Sequence, residues 1–432
     1  MATDVDVQYF SHLNGLTLGN NWGDLIRLLD KALVTGVDFT QITAASIDAQ
    51  GDVHITLYAA HNAMLFQVVE LSGFAPASLN QKYRIKGVPN TTQLILKPAL
   101  DIAERTITTI GAGKLASLGY EILFRDTSDV KRVYRAKNPT AQHPFIRVDE
   151  TISEGSNNYS STYAKSAMVG LLEHMEHIDD YQNPDVLQLP FDQNNVTKNW
   201  KITGTGSNVI RGWSKWYWAT NIFNSSTLNE SSAPVAADWG RTFTLTGDKD
   251  AFYILQNPVG TWEYKTLYGC GLFNSALPGD LIPNWFLMAT NNSNPASYGF
   301  YYVDGITPIV GYSDTNKTQF LVPTYSINER IKSHECAYHL APSHQSGYSN
   351  LYTGSDVPAL EIAFYDSGVM SNGVRRLRGG LRHLYYAGKQ TNTNQTAPIL
   401  SERSMYVTDA CYTVSSTQSS YGCVYFYLGE IG

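Results

Sequence analysis

Asn21-Trp-Gly-Asp-Leu-Ile-Arg-Leu-Leu-Asp-Lys-Ala-Leu-Val-Thr-Gly36 reads as an amphipathic helix, and the contrast with the text after it decides the fold class. Asn21 is placed as an N-cap with Asp24 three residues on, in the manner of a capping box. Leu25, Ile26, Leu28, Leu29, Ala32 and Leu33 recur at helical spacing, and Gly36 is placed to stop the helix. The apolar stripe is read as core packing. Most of the remaining chain is short strand-like runs, turns and aromatic-polar stretches.

From about residue 39 the hydrophobic period drops to two. Asp48-Ala-Gln-Gly-Asp52 is a turn between strand-like Thr40–Ile47 and Val53–Ala59. Val68–Gly73, Lys82–Gly87 and Gln93–Lys97 continue the strands as a small β barrel or sandwich module at 40–100. Tyr120–Asp126, Arg132–Ala136 and Phe145–Glu150 alternate as an antiparallel sheet. Tyr163 to Asp180 reads as a second helix, with Met168, Leu171, Leu172 and Met175 on one face, ended by Asn183-Pro184.

After Pro190 the text is β throughout, with strands expected at Val209–Ala219, Thr242–Gln256, Phe286–Thr290, Gly299–Asp304, Gln319–Val322, Glu361–Tyr365 and Val424–Leu428. Long polar loops separate them at Asn221–Ala237, Asn291–Ser297 and Gln390–Thr396. The fold class is therefore mainly β with a few helices (α+β), a small inserted β module and a larger C-terminal antiparallel β domain. The expected domains are 1–39 with 101–190, the insert at 40–100, and a sandwich-like 191–432.

Only 16% of the 432 residues are charged, and polarity comes instead from Asn, Ser, Thr and 28 Tyr, a mixture suited to tight turns and wet interfaces. A net charge of −7 excludes a general nucleic-acid binder, which needs a basic face. No apolar run reaches the length of a membrane span, and the N-terminal residues carry no signal-peptide pattern. Cys270, Cys336, Cys411 and Cys423 are too scattered for a disulfide scaffold and are expected as thiols, with a Cys411–Cys423 hairpin pair as the alternative.

No catalytic constellation is found, so catalytic residues, cofactors and metals are expected to be none. His334-Glu-Cys336-Ala-Tyr-His339, with His344 beyond, has zinc-knuckle spacing but no second knuckle, and loop or strand packing is the default. Glu173-His174-Met-Glu176-His177, with Asp179 and Asp180, lacks the i, i+4 imidazoles of a helical metal site and reads as a solvated helix face. Asp149 and Glu150 are adjacent on a strand and point to opposite faces, so they cannot act as a glycosidase pair. Trp213, Trp216, Tyr217 and Trp218 suit either core or a sugar-binding platform. Arg375, Arg376, Arg378 and Arg382, beside His383, form a local basic group inside an acidic chain and are the candidate interface residues.

The order of several motifs resembles a family of tailed-bacteriophage structural proteins. They run from the helix ending Leu33-Val-Thr-Gly36 through His61, Val68-Val-Glu-Leu-Ser-Gly-Phe74 and Leu79-Asn-Gln-Lys-Tyr-Arg-Ile85. Gly119-Tyr-Glu-Ile-Leu-Phe124, Val133-Tyr-Arg-Ala136 and Ile146-Arg-Val-Asp-Glu150 follow. Phe252-Tyr-Ile-Leu255, Arg378-Gly-Gly-Leu381 and a terminal hairpin Ser404–Leu428 close the series. The late motif lacks the family's proline, and the expected helix at 163–180 replaces a more turn-like segment. The resemblance implies a virion tail or baseplate component made in the host cytoplasm, present in several copies. Its partners would be other tail proteins and copies of itself, with a host-surface glycan as a possible further contact. A carbohydrate-binding or decoration role is the alternative, and the resemblance implies no enzyme.

Overall fold

The alternation at 40–59 folds as expected. Strands Ile42–Ile47 and Val53–Leu57 pair across the turn, where the Asp48 and Gly51 N–H groups are both held within the loop. The computed structural model describes residues 3–155, 157, 159–192, 194–220, 241–257, 265–276, 283–291, 320–323, 333–338, 360–366, 377–387, 396–414 and 419–432. The loop expected at Asn221–Ala237 and the strand expected at Gly299–Asp304 lie outside them.

The protein is mainly β, and the strands pair antiparallel in several sheets. The first sheet runs in the order Val37–Asp38, Ala112–Leu115, Val68–Ser72, Lys82–Asn90, Gln93–Pro98, Val53–Leu57, Ile42–Ile47. Its inward face (Val53, Ile55, Leu57, Leu94, Leu96) joins one apolar core with the helix residues Leu25, Ile26, Leu29 and Leu33. Each such side chain contributes about 1.5–3 kcal/mol when fully buried.

The helix itself differs in detail from expectation. Its α-helical part is Asp24–Leu29, its last turn widens to a π-helix at Asp30–Thr35, and Gly23 rather than Asn21 is the N-cap. Asn21 instead donates its N–H to Asp24 Oδ2 (3.0 Å). The orphan N–H groups of the first turn go to a distant acceptor, because Glu150 takes hydrogen bonds from Gly23 N–H and Ile26 N–H. Burial pushes the Glu150 carboxyl up to about 7, against the pull of those two donors and of Arg211. Gly36 ends the helix as expected at φ 75°, where a Cβ would lie 2.2 Å from Leu115 O.

The second sheet corrects the largest misreading. Residues 163–180 do not form a helix, because Lys165–Leu172 is a central strand buried at every position, between Phe145–Asp149 and Ser214–Ala219. Met168, Leu171 and Leu172 satisfy helical spacing, but Lys165-Ser-Ala-Met-Val-Gly-Leu-Leu172 is also the run that a strand covered on both faces needs. Gly170 confirms the crowding, since a Cβ there would meet the Trp200 ring at 2.7 Å. Glu173–Asp180 is accordingly a loop and not a solvated helix face, and its Asp179 pairs with Lys131 (2.9 Å) and Arg147 (2.7 Å). Lys131–Ala136 and Tyr120–Arg125 complete that side of the sheet, and Thr290–Asn291 its far edge.

The third sheet has thirteen described strands. It begins with Gln8–Ser11 beside Phe243–Gly247, and passes through Ala251–Gln256, Thr266–Leu272 and Trp285–Met288. Shorter stretches lead to Leu377–Ala387, Ser419–Glu430, Ser404–Val414 and Ala397–Ser401. Two sheets therefore cross the boundary expected at 190: residues 8–11 join the C-terminal strands, and residues 214–219 join the N-terminal ones. Cys270 and Cys423 are buried free thiols, with Cys423 opposite Ala410 in the terminal hairpin. No helix among the described residues is long and apolar enough to cross a membrane.

Candidate functional site

The Gly247-Asp-Lys-Asp250 turn, inside the stretch expected as strand at Thr242–Gln256, gathers a dense group of ionisable side chains. Asp248 Oδ1 accepts from the N–H groups of Asp250 (2.8 Å) and Ala251 (3.0 Å), which fixes the turn and aims both carboxylates the same way. The strand Leu377–Ala387 supplies their partners through a large bulge. Its pairing with the neighbouring strand passes from Glu361↔Tyr385 to Ala363↔Gly380, so residues 381–384 stand opposite residue 362 alone. His383 takes φ 59° within that bulge, a left-handed conformation that histidine tolerates better than most residues.

His383 Nε2 then lies 2.9 Å from Asp248 Oδ2, and Arg382 lies 3.0 Å from Asp250 and 3.9 Å from Asp248. A third element closes the group. His143, on the connection before Phe145–Asp149, places Nε2 2.9 Å from Asp250 Oδ1, and its Nδ1 accepts the Thr140 N–H (2.9 Å). That pattern assigns the Nε2–H tautomer, which donates to Asp250. Lys249 adds a further contact to Asp250 at 2.6 Å.

The electrostatics suit a clasp and not a proton shuttle. Hydrogen bonding from His143 holds the Asp250 carboxyl well below the usual carboxylate range, although burial opposes it, with Lys249 and Arg382 assisting. Burial raises Asp248, but His383 and Arg382 outweigh it and leave that carboxyl lowered too. The nearby Tyr120 and Tyr253 hydroxyls are pushed far up by burial, so both remain neutral phenols. The group ties the second sheet to the third, and Trp285 Nε1 donating to Gln142 O (2.6 Å) reinforces the same joint.

Both carboxyls titrate lower in the folded chain than their ordinary value of 3.8. The stability they contribute is complete above that value and is lost as pH falls through their folded-state range. Acid unfolding followed by tryptophan fluorescence is expected to set in below about pH 4. Asp250→Asn should lower stability at neutral pH and flatten that acid limb; an unchanged limb would contradict the assignment.

The basic group expected at the surface is divided by the fold. Arg378 is 2% exposed and donates to Pro323 O (3.2 Å), so it is packed within the chain. Arg382 is half-buried and spends its charge on Asp248 and Asp250. Arg375 and Arg376 lie outside the described residues. His334 and Cys336 sit on the strand Ser333–Tyr338, while His339 and His344 lie outside the described residues. Among the described residues no group of three or more His, Cys, Asp or Glu side chains is placed to hold a metal.

Asp149 and Glu150 diverge as expected, Asp149 pairing with Arg147 (2.9 Å) while Glu150 caps the helix. Trp216, Tyr217 and Trp218 are core, with Trp216 stacked on Tyr268 and Trp218 edge-on to Trp22. Trp213 stands apart from them at the rim of a cleft.

No family model matches the chain, and no curated protein matches it. Among solved structures the chain is similar to one described as "Phage phi92 endosialidase", with a TM-score of 0.14 and 9% identity. The match covers 91% of this chain and 51% of that one, so the chain spans about half the length of that structure. A likeness of that size bears on neither fold nor activity.

Proposed function

We propose that the chain is a structural component of a bacteriophage virion, in the tail or baseplate or where fibres attach. On this reading it acts by multivalent assembly with copies of itself and with other tail proteins, not by catalysis. The motif order across most of the chain supports the family, and one structural observation supports the role. Ionic side chains clasp segments far apart in sequence: His143 to Asp250, His383 to Asp248, and Arg84 to residues at both chain ends. Such cross-bracing suits a part that must keep its shape while neighbours pull on it.

The contacts are assigned to two places. The small β module carries Tyr58, Val88 and Leu100, exposed to 78, 38 and 69%, and Ile110 follows it at 42%. Arg375 and Arg376 remain candidate charged contacts, whereas Arg378 and Arg382 act within the chain. A single weak contact repeated by symmetry gains strength from effective concentration. Tyr58→Arg with Leu100→Arg is expected to give folded protein that fails to enter particles, measured by mass spectrometry of purified virions. Normal incorporation of that variant would move the interface elsewhere, and absence of the parent chain from the virions would end the structural reading.

A further inference from the structure

A cleft of about 300 Å³ opens beside Trp213, at the lower end of the range for small-molecule sites. Its walls come from the loop before Trp200 and from the ribbon that pairs Ile202–Thr203 with Ile210–Arg211. The loop is stiffly built. Asp192 Oδ1 accepts the Asn194 N–H (3.0 Å), and Asn199 bridges the central strand through Val169 O (3.0 Å) and Ser214 N–H (2.7 Å). Trp200, just behind, is buried beneath the Arg147 guanidinium at 4.4 Å. A site on such a support is set before a ligand arrives.

The lining has a definite chemistry. Lys198 Nζ lies 4.5 Å from the Trp213 ring centroid and 2.8 Å from Asp192 Oδ2, so a neutralised pair fixes the indole in place. Asn195 and Thr203 add exposed groups that both donate and accept. Lys201 also lines the cleft, is exposed, and has no carboxylate within ion-pair distance among the described residues. The cleft therefore combines a half-buried indole, amide and hydroxyl groups, and one cation in excess.

We propose that this cleft binds an acidic saccharide. The apolar C–H face of a sugar ring would pack on Trp213, its hydroxyls would meet Asn195 and Thr203, and its carboxylate would pair with Lys201. A polyphosphate is disfavoured, because of the two lysines in the lining Lys198 is already paired with Asp192, which leaves one cation for several charges. This goes beyond the assembly role and does not rest on it.

The full-length protein should be titrated calorimetrically with hexuronate and nonulosonate oligosaccharides and with their neutral counterparts. At least one acidic saccharide is expected to bind at millimolar concentration or below, and about tenfold more tightly than its neutral counterpart. Trp213→Ala should abolish that binding, and Lys201→Gln should remove the preference for the acidic form, with circular dichroism confirming that both variants are folded. No binding by any member of the panel would overturn the proposal. So would saccharide binding that survives Trp213→Ala, or a single-stranded oligonucleotide that binds the cleft in place of every saccharide.

Discussion

Replacing Arg84 by Met is expected to cost about 3–5 kcal/mol of stability, the range for leaving buried polar and charged partners unmatched. The guanidinium is fully buried and donates to four carbonyls: Asp4 O (2.9 Å), Val7 O (3.0 Å), Phe66 O (2.6 Å) and Leu428 O (2.9 Å). Burial lowers its pKa to about 10, which still leaves it charged at neutral pH. One side chain thus joins the N-terminal segment, the small module and the terminal hairpin. Methionine would fill the stem's volume but offer those carbonyls nothing. Urea unfolding should show a lower midpoint with an unchanged slope. A loss below about 1 kcal/mol, the net worth of one ordinary hydrogen bond, would mean that the carbonyls find other donors.

Asp409→Ala is expected to be comparably severe. Asp409 and Lys265 form an ion pair in which both side chains are 1% exposed, and Asp409 Oδ2 also accepts from Thr244 (2.8 Å). Thr244 continues to Thr396 (2.6 Å) and Thr396 to Ser11 (3.0 Å), so the network fastens five separate stretches of chain. Removing the carboxylate takes the Asp409 partner from a buried cation, at about 3–5 kcal/mol. Lys265→Met with Asp409→Leu should recover most of that loss, because the desolvation cost disappears with the charges. A double-mutant cycle reads the coupling directly. Additive losses would contradict the pairing.

What the sequence made legible was local. Gly36 as a helix stop, the turn at Asp48–Asp52 and the three strands over 120–150 are set by neighbours a few residues apart, and each appears in the fold. Lys165–Leu172 failed because a strand covered on both faces has no period of two to detect, and its apolar residues happen to fall at helical spacing. The clasp at Asp248 and Asp250 was illegible for a different reason. His143 lies 107 residues from Asp250 and His383 lies 135 from Asp248, and only the bulge at 381–384 brings Arg382 and His383 to that turn. For the same reason Arg378 and Arg382 read as surface charges, although their partners are other parts of the chain.

The proposed tail role is tested most directly by cryo-EM reconstruction of a virion that contains this chain. Density for the three large sheets is expected in symmetric copies within the tail, with the Tyr58–Leu100 module against a neighbouring subunit. A mature particle whose complete tail density leaves no place for this fold would contradict it.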